Sequence, residues 1–158
     1  DSCDFNTIMI RKNHDFEYLN SIDIENNENN KKYIVDVKIN DYNFLYALIY
    51  VEEKDIYELQ GYTINGTYFG KYTGNISNFQ ITKTGKIIVA YLNEPTIRVL
   101  NPADFSEYYM RAFTIKGNNT YFDFYFESPN KIYYGIRDND SSRIKILFLD
   151  QDEEKYFL

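Results

Sequence analysis

Tryptophan is missing from the sequence altogether, and there is one cysteine, one histidine, three prolines and seven glycines. Each scarcity removes a class of explanation. A lone Cys3 cannot form an intrachain disulfide, so the staple that holds small secreted folds is missing and a reducing, cytoplasmic location is expected. Cys3 has no second thiol with which to build a metal pair either, and reads as an ordinary thiol near a polar terminus. A Ser-His-Asp triad, a histidine zinc site or a histidine general base would have to use His14, which lies in the polar stretch Arg11-Lys12-Asn13-His14-Asp15 and reads as an exposed loop residue. The glycines never gather into a phosphate-binding loop. No run approaches the roughly 18 apolar residues of a membrane-spanning helix. Asp1-Ser2-Cys3-Asp4 is polar and acidic where a signal peptide is basic and then apolar, so no targeting segment is expected. Positive charge is also short: 17 Lys and Arg against 24 Asp and Glu give a net charge of −7. Lys31-Lys32 and Arg11-Lys12 are the densest basic spots, too small for a phosphate-backbone footprint, so nucleic acid is not an expected partner.

With 158 residues, 44% hydrophobic and 26% charged, the chain reads as one globular domain of ordinary size. Asn, Ile, Tyr and Lys dominate, a bias that suits an AT-rich coding sequence and accounts for the missing tryptophan. Sequons begin at Asn65, Asn75, Asn118 and Asn139, but eighteen asparagines produce such motifs by chance. Glu25-Asn26-Asn27-Glu28-Asn29-Asn30-Lys31-Lys32 is polar and aperiodic and reads as a long loop.

The rest is short strands between turn residues. Over Tyr33–Asn40, Val35, Val37 and Ile39 alternate with Asp36, Lys38 and Asn40, the period of a half-buried strand. Asn78–Thr82 and Tyr121–Glu127 repeat the pattern. Each is followed by a continuous apolar run, at Phe44–Ile49, Ile87–Tyr91 and Ile132–Ile136, as expected of strands covered on both faces. An amphipathic strand then follows at Tyr57–Ile64, Ile97–Leu100 and Arg143–Leu149.

This unit recurs three times. Phe44 and Ile87 are 43 residues apart, Lys86 and Lys131 are 45 apart, and Ile97 and Ile144 are 47 apart. A strand-only repeat of that length predicts an all-β fold of β-propeller blades, four-stranded antiparallel repeats of about 43–47 residues. The expected division is residues 1–32, a partial blade and polar loop, then blades at 33–75, 76–118 and 119–158, all in one propeller-type domain. Three to four blades are fewer than most closed propellers have, so an incomplete propeller, part of a longer chain, is expected, unless residues 1–32 complete a small ring. A free-standing β-sandwich adaptor is the competing architecture. Helical turns are expected only within Glu52–Leu59 and at Asn101-Pro102-Ala103-Asp104-Phe105, where proline follows a capping residue.

The segments Gln60-Gly61-Tyr62-Thr63-Ile64-Asn65-Gly66-Thr67-Tyr68, Thr84-Gly85-Lys86-Ile87-Ile88-Val89 and Thr96-Ile97-Arg98-Val99-Leu100 resemble WD-repeat propellers. There an Asn-Gly turn joins the outer strands and a glycine turn precedes the buried strand. More narrowly, residues 57–105 resemble the C-terminal propellers of BEACH-domain proteins. The chain departs from the WD pattern in lacking its Gly-His and Trp-Asp pairs: Leu100-Asn101 follows Ile97-Arg98-Val99. The resemblance implies a scaffold within a larger WD-repeat or BEACH-like protein, cytoplasmic, bound to other proteins and reaching membranes in vesicle trafficking through those partners.

The residues themselves offer no catalytic, cofactor-binding or metal site. Asp138-Asn139-Asp140-Ser141-Ser142 places oxygens at alternate positions, but a calcium loop starting there needs Gly and Glu where Arg143 and Leu149 stand. Glu52-Glu53 and Asp152-Glu153-Glu154 are carboxylate clusters whose neighbours, on strands, would point to opposite faces. Tyr121-Phe122-Asp123-Phe124-Tyr125-Phe126 and Tyr108-Tyr109 are expected to pack between blades, with an interface role as the alternative. The expected function is a non-catalytic protein–protein interaction scaffold. A propeller enzyme acting on glycosides, or a carbohydrate-binding module, remains the alternative from another class.

Overall fold

The structure is a computed structural model that describes residues 6–11, 18–24, 31–82, 84–91, 94, 96–112, 121–128, 131–137, 142–148 and 153–157. Thr7–Arg11 (β1) and Tyr18–Asp23 (β2) pair as a two-stranded sheet. Lys32–Ile39 (β3), Phe44–Val51 (β4), Ile56–Thr63 (β5) and Tyr68–Gly74 (β6) form a four-stranded sheet. So do Ile76–Ile81 (β7), Ile87–Tyr91 (β8), Thr96–Leu100 (β9) and Glu107–Ala112 (β10). Tyr121–Ser128 (β11), Lys131–Arg137 (β12), Ser142–Phe148 (β13) and Glu153–Phe157 (β14) form the third. Within every sheet, strands adjacent in sequence pair antiparallel. The repeating unit is therefore a four-stranded meander, as the spacing predicted. By contact, the chain divides into residues 1–75 with 103–105, and residues 76–102 with 106–158.

In the first unit, alternation on β4 supplies two cores. Leu45, Ala47 and Ile49 point to one face, where Ile8, Ile10, Ile22 and Ile24 of the β1–β2 segment bury themselves together with Tyr62, flanked by Ile34, Val37 and Ile64. Tyr46 and Leu48 point to the other face and are fully buried. There Tyr46 meets Phe69 and Phe105 edge-on at 6.1 Å each, and the Phe69 and Phe105 rings stack at 6.0 Å. Two glycines make room for them. Gly61 and Gly70 lie opposite each other in the β5–β6 register, and a Cβ on Gly61 would overlap the Phe69 ring and come within 3.0 Å of Phe105 Cζ. Phe105, 5% exposed, sits at a φ of 58°, left-handed backbone that a bulky residue adopts rarely.

Three turns share one hydrogen-bond design. Asn40, Thr63 and Thr82 each end a strand or follow it directly, and the residue three positions on (Asn43, Gly66, Gly85) takes a positive φ of 62°, 85° and 83°. The N–H of that residue donates to the first residue's carbonyl, at 3.1, 2.9 and 2.9 Å. The next N–H, of Phe44, Thr67 or Lys86, donates to the first residue's side-chain oxygen, at 2.9, 3.1 and 3.0 Å. Side chains with an oxygen near the backbone favour such turns, and Asn and Gly tolerate the left-handed residue. The Gly66 turn joins β5 to β6 and the Gly85 turn precedes the buried β8, as the motif reading expects.

The expected helical turn within Glu52–Leu59 is a single 3-10 turn, Glu52–Lys54, closed by Asp55 at a φ of 49°. From Ile56 the residues join β5, because Leu59 and its neighbours find a buried sheet position there. Asn101–Phe105 makes a turn and not a helix; Asn101 N–H donates to the Ser106 carbonyl at 2.9 Å and its Nδ2 donates to Ser106 Oγ at 2.6 Å.

In the second unit β8 is buried along its whole length, and Phe79, Ile76, Ile97 and Leu100 have no exposed surface. On its surface Arg98 pairs with Glu107 and lies 5.0 Å from the Tyr91 ring centre, and Lys86 Nζ stands 3.0 Å above the Tyr108 ring. In the third sheet Tyr121–Phe126 occupies β11, facing Arg137–Ile132 of β12, and Lys131 lies 5.0 Å from the Tyr133 ring centre.

Candidate interaction surfaces and a buried polar chain

Glu58, Gln60 and Tyr62 alternate along β5 and so share a face. All three are buried, Glu58 to 4% exposure. The Tyr62 hydroxyl donates to Gln60 Oε1, Gln60 Nε2 donates to Glu58 Oε2 at 2.7 Å, and Lys71 Nζ on β6 donates to Glu58 Oε1 at 2.5 Å. Burial pushes the Glu58 carboxyl up, but the Lys71 ammonium and the Gln60 amide together outweigh it, leaving the group below its ordinary value. Burial pushes the Tyr62 phenol up to about 12. The chain thus holds one ionised carboxylate and one neutral phenol at physiological pH. A carboxyl lowered in this way is a poor general acid, which needs its proton near neutrality. The arrangement satisfies buried polar groups beside an apolar core.

The sheet presents different surfaces at its two ends. At the end carrying the Asn40 and Thr63 turns, Tyr42 and Tyr68 are 65% and 50% exposed, with Ile39 and Phe44 also exposed. Tyr68 leans on the buried Tyr62 at 5.7 Å and Phe44 on the half-buried Phe69 at 5.5 Å. At the opposite end Tyr33, Tyr50 and Tyr57 lie in register across β3, β4 and β5, and the next position, on β6, is Gly74. Their ring centres are 6.3 and 5.2 Å apart. The Tyr50 hydroxyl donates to Asp55 Oδ1 at 2.9 Å, which raises its pKa, and the Tyr33 hydroxyl donates to Glu52 Oε2 at 3.4 Å.

Several residues singled out in the sequence find definite places. Glu52 and Glu53 are exposed in the 3-10 turn and not on a strand, so the opposite-faces argument does not apply to them. Tyr108 is exposed beneath Lys86. Asn65 and Asn75 are exposed. Glu153 and Glu154 open β14, and Ser142 opens β13. Cys3, His14, Asn118, Asp138–Ser141 and Asp152 lie outside the described residues. Among the described residues no three His, Cys, Asp or Glu side chains gather as a metal site. No helix among them is long and apolar enough to cross a membrane. The polar chain and the tyrosine row were not read from the sequence. The alternation of Glu58, Gln60 and Tyr62 was visible, but their burial and the cross-strand register were not.

No family model matches the sequence, and no curated protein matches it. Among solved structures the chain is similar to BamB from Moraxella catarrhalis, with a TM-score of 0.52 and 16% identity, over 89% of this chain and 40% of that one. It is also similar to an uncharacterized protein from Listeria monocytogenes EGD-e, with a TM-score of 0.46 and 18% identity, over 78% of this chain and 43% of that one. The chain thus spans less than half the length of either. BamB has a β-propeller-type fold, and the likeness to it, together with the repeated antiparallel meanders, gives this chain a β-propeller-like fold.

Proposed function

We propose that this chain is a non-catalytic protein–protein interaction scaffold, a stretch of a larger propeller protein, that docks partners on the turn end of the β3–β6 sheet. The observation that carries the reading is the group Ile39, Tyr42, Phe44 and Tyr68, exposed at one end of a sheet that packs a buried apolar cluster. Apolar and aromatic groups projecting from turns on a fixed scaffold are what protein interfaces use as anchors. The buried polar chain supports the same reading, since its carboxylate is committed to Lys71 and Gln60. The narrower assignment, a WD-repeat or BEACH-like protein acting in vesicle trafficking, rests on the motif resemblance of residues 57–105. The cytoplasmic location rests on the lone cysteine.

The test compares the proteins recovered by crosslinking from the source cells with the wild-type chain, with Tyr42→Ala/Tyr68→Ala, and with Tyr108→Ala as control. A partner set lost only in the double variant supports docking at the turn end. An identical set in all three removes that site. Hydrolysis of a glycoside panel, abolished by Glu58→Gln, would replace the scaffold by the enzyme alternative.

A further inference from the structure

From the opposite end of the same sheet we infer that the row Tyr33, Tyr50 and Tyr57, with the carboxylates of Glu52, Glu53 and Asp55, receives a basic side chain of a peptide, an arginine guanidinium above all. The inference names a chemical class of partner for the scaffold reading but stands on a different site.

The argument begins with register. Residues 33, 50 and 57 are far apart in sequence, yet pairing of β3 with β4 and of β4 with β5 lays their rings in one line, 6.3 and 5.2 Å apart. The line ends at Gly74, which has no side chain to close the far side of Tyr57. Tyr33 is 46% exposed, and Tyr50 and Tyr57 are half-buried. Aromatic faces in a row are negative in potential and attract cations. Two of these phenols donate to carboxylates, Tyr33 to Glu52 and Tyr50 to Asp55, which makes their rings richer in electrons.

Charge complementarity selects the occupant. Elsewhere the chain covers tyrosine rings with its own cations: Lys86 over Tyr108, Arg98 over Tyr91 and Lys131 over Tyr133. Among the described residues no cation stands over Tyr33, Tyr50 or Tyr57. The adjoining turn brings Glu52, Glu53 and Asp55, all exposed, against Lys54; the other nearby cations are Lys31, its carbonyl accepting the Glu52 N–H at 2.9 Å, and Lys32, which pairs in register with Val51 and acts on the buried Glu58. Carboxylates are acceptors only, so the rim offers what a donor-rich cation needs. A guanidinium stacks flat on a ring while its edge N–H groups reach a carboxylate, a combination an ammonium meets only in part.

The experiment is calorimetric titration of the full chain with acetyl-Gly-Arg-Gly-Arg-Gly-amide and with its citrulline twin, which keeps shape and loses charge. Expected is binding of the arginine peptide, weakened about tenfold or more by citrulline, and weakened roughly threefold each by Tyr33→Leu and by Asp55→Asn, as exposed ring–cation contacts predict. Tyr33 lies on an edge strand, and asparagine tolerates the left-handed backbone at position 55, so both variants should melt with the wild type. Tyr42→Ala/Tyr68→Ala, which tests the scaffold reading, should leave this titration unchanged, so the two proposals fail separately. Equal binding of the two peptides, indifference to both variants, or binding of cellohexaose in place of the arginine peptide would overturn the inference.

Discussion

Single atoms decide much of the first unit. Gly61 is such a place: its missing Cβ is the space that the Phe69 and Phe105 rings occupy. Gly61→Ala should destabilise the chain by about 1–3 kcal/mol, since overpacking forces rings off their preferred positions. Urea unfolding would show it, and Gly70→Ala, whose added Cβ would meet only ordinary contacts at 3.5 Å from Phe105, should cost less. Glu58 makes a prediction about pH. Its folded pKa is depressed, so the stability it contributes is present above its unfolded value and is lost as pH falls through the folded one. Lys71→Met should weaken or reverse that trend, because burial, which raises the Glu58 pKa and penalises the charged form at neutral pH, is then opposed only by the Gln60 amide and the Lys32 charge. With the lysine side chain 43% exposed, the loss at pH 7 is about 1–2 kcal/mol, shrinking as pH falls into the acid range. Urea midpoints from neutral pH to about pH 3.5 would check the sign.

Turns and strands carry the fold at the next scale. Thr82→Val removes the side-chain oxygen that accepts the Lys86 N–H while keeping shape, and should cost about 1 kcal/mol by thermal denaturation. Gly66→Ala meets two penalties, a φ of 85° and Asn20 Nδ2 within 3.0 Å of the new Cβ, and should cost at least as much. How far the elements could be read from the sequence follows from burial. β4 and β8 were plain as apolar runs because both of their faces are covered. The fourth strands were implied only by the blade length. Tyr68–Gly74 carries two glycines and Glu107–Ala112 starts with an exposed acid, because an edge strand need not alternate. β1 and β2 were hidden for a related reason: each is short, and Met9, Tyr18 and Leu19 on the outward side blur the pattern of Ile8, Ile10 and Ile22. The tyrosine row was illegible because strand register, which no local pattern encodes, creates it.

At the scale of the molecule, the period in the sequence and the meanders in the structure agree on a β-propeller-like fold. The count of strands raises a question of association. Among the described residues one sheet has two strands where the other three have four, and a blade short of strands would leave an edge that a second copy could pair with. Light scattering coupled to size-exclusion chromatography should therefore find this 158-residue chain self-associated. A compact monomer would instead favour a self-contained domain over a stretch of a larger ring.

The turn at Asn65-Gly66 has one more consequence, written in covalent chemistry. A backbone nitrogen that follows asparagine can attack the side-chain amide, expel ammonia and form a succinimide, and glycine hinders that attack least. Here the Gly66 N–H is occupied by the Thr63 carbonyl at 2.9 Å, so the nucleophile is engaged while the turn is closed. Each opening exposes it. Aspartate and isoaspartate accumulating at residue 65 would then be a clock of how often this hairpin comes apart.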